Sequence, residues 1–119
     1  MNKSLIGLVS AVALLATPAV AAEKIKIGFV TTITTPAGAM GRDMVDGAKI
    51  ALSHINGQMG GKEVEFIVED DGFKPEIGKQ KSDKLVKQDK VHFITGFIWS
   101  HVLLASRKSA LANATFMIS

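Results

Sequence analysis

The chain has 119 residues, 47% of them hydrophobic, with a formal net charge of +3 and no cysteine. The missing cysteine excludes disulfides and thiolate metal sites. So mild a charge gives no reason to expect a nucleic-acid partner or an anionic membrane surface.

In chain order, Met1-Asn2-Lys3 carries a positive charge, Leu5 to Ala16 is apolar, and Thr17-Pro18 leads into Ala19-Val20-Ala21. This three-part layout predicts a secretory signal peptide over residues 1–21, cleaved after Ala21. Its apolar run of about 12 residues is too short to span a bilayer, which needs roughly 20. Residues 22–119 would then be the exported segment.

Lys24 to Thr31 (KIKIGFVT) alternates and then turns apolar, the pattern of a strand entering a core. Thr32 to Gly41 is rich in Thr, Gly and Pro and reads as a loop. A helix is expected over Arg42 to Asn56, where Met44, Ala48, Ala51, Leu52 and Ile55 form one continuous face. Gly57, Gly60 and Gly61 end it and turn the chain. Lys62 to Glu69 follows as a second strand, with Val64, Phe66 and Val68 in strict alternation. Asp70-Asp71-Gly72 reads as a turn whose carboxylates cap and orient the next helix; metal ligation is the alternative. That helix runs from Pro75 to about Lys87, with Gly78, Ser82, Leu85 and Val86 on one face and a solvated lysine face opposite. Val91 to Thr95 is a third strand, Ser100 to about Asn113 a third helix, and Thr115 to Ile118 a fourth strand.

The order βαβαβαβ, with strands too apolar to have a face in water, predicts an α/β fold with a parallel sheet covered by helices on both faces. A sheet ending on an uncovered strand at Ser119 is expected to be the front of a longer protein, and poorly stable alone.

Enzyme signatures are missing. There is no G-x-S-x-G elbow, no phosphate loop ending in G-K-[ST], and no G-x-G-x-x-G after the first strand. His54, His92 and His101 are isolated in sequence, and no cofactor or metal is implied. In open parallel sheets ligands bind beyond the carboxyl ends of the strands. Two segments reach that edge, Thr31 to Gly41 and Gly96 to His101. Ser100 would sit at a helix N-terminus, where its hydroxyl either caps the helix or bonds an anion. Trp99, the chain's single tryptophan, suits a crevice wall as well as a core, because an indole needs a partner for its N–H.

The stretches IKIGFVTTITTPAGAMGRDMVDGAKIALSHING, GKEVEFIVEDDGFKPE and VHFITGFIWSHV, in that order after a signal peptide, resemble the start of a type I periplasmic substrate-binding protein. The subgroup is the one that serves ABC transporters of branched-chain amino acids and related carboxylates. The resemblance implies the first of two lobes that close over a ligand, and it implies no enzymatic activity. It implies that Ser100 holds the ligand carboxylate, and that Met40, before Gly41, walls the side-chain pocket. Trp99 would line the mouth of the cleft, flanked by Ile98 and His101. The implied partners are a small carboxylate and an inner-membrane ABC permease, with no nucleic acid. The apolar wall of Met40, Trp99 and Ile98, with TTPAG and GFIWSHVLLAS, looks closest to the branch that takes aromatic carboxylates, ahead of leucine. The sensory domain of a receptor with the same fold is the alternative; a small flavodoxin-like or hydrolytic enzyme would need catalytic residues that the sequence lacks.

Overall fold

The protein is described here by a computed structural model covering residues 22–119. The expected signal peptide, 1–21, lies outside the described residues. Five strands and three helices follow: β1 (Ile25–Thr31), α1 (Ala39–His54), β2 (Gln58–Met59), β3 (Lys62–Asp70), α2 (Pro75–Lys87), β4 (Phe93–Thr95), α3 (Ser100–Ala112) and β5 (Phe116–Met117). They form one sheet in the order β2-β3-β1-β4-β5. The expected alternation and parallel pairing are present in β1, β3, β4 and β5.

β1 runs beside β3 from Ile25 opposite Val64 to Thr31 opposite Asp70. It runs beside β4 from Ile27 opposite Phe93 to Phe29 opposite Thr95. Paired on both edges, β1 is buried from Ile27 through Thr31, which is why its sequence is apolar on both faces. β2 is a feature the sequence did not disclose. It pairs antiparallel with the first residues of β3, Gln58 opposite Glu63 and Met59 opposite Lys62, where only a glycine turn was expected. Two residues are too few for any periodicity to register.

Successive residues of β1 point to opposite faces. On one face Val30 joins Leu85, Val86, Val91 and Ile94 in the buried core, with Ile67 and Phe97 packed against it. α2 and α3 lie together over this face. They approach closely because small residues meet: a Cβ on Gly78 would lie 2.3 Å from Val102 Cγ1. On the other face Ile27, Phe29, Phe66 and Phe93 line an open apolar groove of about 350 Å³ with Ala48, Ala51, Leu52 and Ile55 of α1. The Phe29 and Phe66 rings pack 5.3 Å apart within it.

Two expectations about α1 are corrected. It starts at Ala39, not Arg42, because a 3-10 turn at Pro36–Gly38 feeds directly into it. Its apolar face is not buried as a stripe. Val45 and Gly41 are its buried residues, whereas Ala51 and Ile55 are exposed and rim the open groove. The lysine face of α2 does lie in solvent. Lys79 and Lys87 flank Asp83 at 2.7 and 3.0 Å, and Lys81 and Lys84 bind the two oxygens of Glu69 at 2.8 and 2.7 Å.

From β1 the chain crosses to β3 on one side, then returns past β1 to β4 and β5 on the other. The carboxyl ends of β1 and β4 therefore flank the point where the connections diverge. A crevice forms at such a point in open α/β sheets.

Candidate ligand-binding edge

Three loops meet at this edge: the segments after β1, β3 and β4. The first is held close by a missing side chain. A Cβ on Gly41 would fall 1.8 Å from the Thr32 carbonyl oxygen, so only glycine lets the first turn of α1 lie on the end of β1. Met40, the preceding residue, is 56% exposed. It stands in the first turn of α1, not in a loop as its sequence context implied.

The third loop turns at Gly96. Its φ of 96° lies where other residues are strained, and a Cβ there would fall 2.7 Å from the Phe29 ring. The chain leaves through half-buried Phe97, Ile98 and Trp99 and enters α3 at Ser100. The N-cap is Trp99, with extended backbone and no side-chain cap hydrogen bond. Its carbonyl oxygen accepts from the N–H groups of Val102 and Leu103, both at 3.0 Å. Ser100 is thus the first helical residue, exposed, and its hydroxyl does not supply the cap. The free N–H groups of this turn carry the positive end of the helix dipole.

The middle loop ties the other two together. Asp70 accepts from the Ile33 N–H at 2.8 Å, the Gly72 N–H at 3.0 Å and the Thr34 hydroxyl at 2.5 Å. Burial by itself would raise the Asp70 carboxyl, but the hydrogen bonds from Thr34, Gly72 and Ile33 outweigh it and hold the group below the usual carboxylate range. Asp71 is fully buried. One of its oxygens accepts from the Thr32 hydroxyl at 2.5 Å and from the Phe73 N–H at 2.8 Å. Thr32 in turn accepts the Trp99 indole N–H at 2.9 Å. The expectation that these aspartates cap α2 is corrected: the N-cap is Lys74, with no side-chain hydrogen bond. The carboxylates instead reach across to the segment after β1, because the parallel register sets Asp70 beside Thr31. Among the described residues, no group of three or more acidic, His or Cys side chains is placed to hold a metal ion.

Phe73 is the residue that sequence reasoning missed. Its backbone is left-handed at φ 64°, and its ring meets Trp99 edge-on at 4.8 Å and His101 at 5.2 Å. The one available signal was an aromatic side chain just past a D-D-G turn. His92, by contrast, lies away from this edge; its Nδ1 accepts the Lys26 N–H at 2.9 Å. Trp99, Ser100, His101 and Ile98 arrive here together on one segment, and Met40 comes from the start of α1.

Loops that converge on a helix N-terminus at the carboxyl edge of a parallel sheet form the kind of crevice at which open α/β folds bind ligands. The sequence pattern of the family described as Periplasmic binding protein matches residues 24–119, and the chain belongs to that family. It is 30% identical over 110 residues to the Leu/Ile/Val-binding protein BraC3 of Rhizobium johnstonii, covering 91% of this chain and 30% of that protein. An ABC transporter substrate-binding protein from Sphaerobacter thermophilus is 33% identical with a TM-score of 0.75, over 80% of this chain and 26% of that one. The branched-chain amino acid transporter substrate-binding protein LivJ of Streptococcus pneumoniae, solved with isoleucine, is 28% identical. Its TM-score is 0.76, over 82% of this chain and 28% of that one. The chain thus spans less than a third of the length of these relatives.

Proposed function

We propose that the protein is the exported solute-binding component of an ABC importer, and that it captures a small carboxylate with an apolar body and delivers it to the permease. The observation that carries this reading is the exposed Ser100 hydroxyl at the start of α3, beside free backbone N–H groups and aromatic rings. A carboxylate at that point gains charge-assisted hydrogen bonds from the helix N-terminus and from Ser100. Trp99, Ile98 and Met40 supply an apolar wall for the rest of the ligand. A second lobe, corresponding to the remaining length of the relatives, closes over it. Relatives named for leucine, isoleucine and valine support a branched aliphatic body. The ring cluster of this chain supports an aromatic one, and we favour the aromatic acid.

Calorimetry on the full-length protein with benzoate and with leucine tests the reading. Binding of benzoate at least as tight as that of leucine is expected. Tight leucine binding with none of benzoate would reverse the preference, and binding of neither would remove the carboxylate assignment. Export is tested separately, by the N-terminus of the secreted product; Ala22 is expected as its first residue.

A further inference from the structure

We infer that Phe73 is a specificity-determining residue, the one that selects ligands with a flat aromatic body; this rests on the reading of the edge as a carboxylate site. Three observations converge on it. First, Phe73 holds a left-handed backbone, φ 64°, a conformation that is costly for a bulky side chain. The Asp71 carboxylate fixes it through the Phe73 N–H at 2.8 Å. Second, the ring repays none of that cost in the core. Phe73 is 44% exposed and is absent from the cluster of Val30, Leu85, Val86, Val91 and Ile94. Third, its ring stands nearly perpendicular to both Trp99 and His101, at 84° and 86°. These are the two neighbours of Ser100 in sequence, so Phe73 lies against both flanks of the residue that would anchor the carboxylate.

A ligand held at Ser100 by its carboxylate extends past these rings. A flat aromatic body gains an offset or edge contact with Phe73, which a branched aliphatic body meets only as apolar area. The hydrogen-bond chain from Trp99 through Thr32 and Asp71, buried at its centre, to the Phe73 N–H holds the indole and the Phe73 backbone in one arrangement before any ligand arrives. Such preorganisation lowers the ordering cost of binding.

The test is calorimetry on the full-length protein, with benzoate and leucine as probes. Phe73→Leu keeps an apolar side chain without a ring. Phe73→Asn removes the apolar body while tolerating the left-handed backbone, which protects against misfolding. Both variants should weaken benzoate by roughly two- to tenfold, the span of one aromatic pair, and should change leucine affinity much less. Phe73→Tyr should restore the benzoate preference. A shared loss for both ligands, or no change in either, would overturn the specificity role. Ser100→Gly separates the two claims, since it should weaken both acids together whatever Phe73 does. Undiminished binding in that variant defeats the carboxylate anchor, and a wild type that binds neither acid overturns both claims.

Discussion

The indole of Trp99 donates to the Thr32 hydroxyl oxygen at 2.9 Å, across 67 residues of sequence. The Thr32 hydroxyl in turn donates to buried Asp71 at 2.5 Å. Thr32→Val therefore removes the acceptor of Trp99 and one donor to Asp71 in a single step. Losing both bonds, one of them to a fully buried carboxylate, should cost about 1–3 kcal/mol of stability, read by denaturant unfolding. Tryptophan emission should shift as well, because Trp99 loses its polar partner. Thr32→Ser, which keeps the hydroxyl, should behave much more like the wild type. Equal losses in the two variants would count against the hydrogen-bond chain.

Ser100 offers a separation of folding from binding. Trp99 already provides the N-cap of α3 through its carbonyl, without a side-chain bond. Ser100→Ala should therefore change stability by no more than about 0.5 kcal/mol, as at other exposed positions. In the full-length protein it should weaken carboxylate binding about 10- to 150-fold, the worth of one hydrogen bond to a charged group. Calorimetry beside thermal unfolding reads both quantities. Affinity equal to wild type in the folded variant would remove Ser100 from the site.

Glycine substitutions at two positions should have opposite signs. A Cβ at Gly78 would fall 2.3 Å from Val102 Cγ1, where α2 meets α3. Gly78→Ala should cost about 1–3 kcal/mol through overpacking. Gly47 lies within α1, with nothing within 4 Å of the same atom. Gly47→Ala should stabilise by about 0.5–1 kcal/mol, because alanine gives up less backbone freedom on entering a helix. Denaturation midpoints of the two variants test this, and a common sign would contradict the packing described for the two helices.

Acid should weaken the fold through three carboxylates. Lys79, then Ser109 and Lys87, hold Asp83 far below its usual range. Burial alone would raise Glu69, but Lys81 and Lys84 outweigh it and lower the group; Asp70 is lowered by its own hydrogen bonds. All three folded values lie below the unfolded ones. Their stabilisation is thus complete above the unfolded carboxylate range, near pH 4, and is lost as pH falls from there toward the folded values. Unfolding midpoints measured from neutral pH downward should drop in that window. Asp83→Asn combined with Glu69→Gln should flatten the drop, and an unchanged slope in that double variant would assign it elsewhere.

The four parallel strands and α2 could be read from the chain because their apolar residues recur in short, regular patterns. Val64, Phe66 and Val68 alternate in β3, and Gly78, Ser82, Leu85 and Val86 mark the buried side of α2. The apolar stripe of α1 misled because periodicity reports which face is apolar, not whether anything covers it. At the candidate site, the arrival of Trp99, Ser100 and His101 was legible, since a single segment carries them. The roles of Thr32, Asp71 and Phe73 were not. They follow from the register that sets Thr31 beside Asp70, and register is a property of two strands that neither sequence states alone.

Thr32 and Asp71 lie 39 residues apart, and Thr32 and Trp99 lie 67 apart. No local stretch of the chain contains even a rudimentary version of this edge. It comes into being only when β1, β3 and β4 have taken up their register and α3 has formed, a set of distant pairings that closes late because loop entropy must be met first. Assembly of this edge is therefore all-or-none in the folding sense. A chain stalled with β4 undocked has no weakened edge but no edge at all.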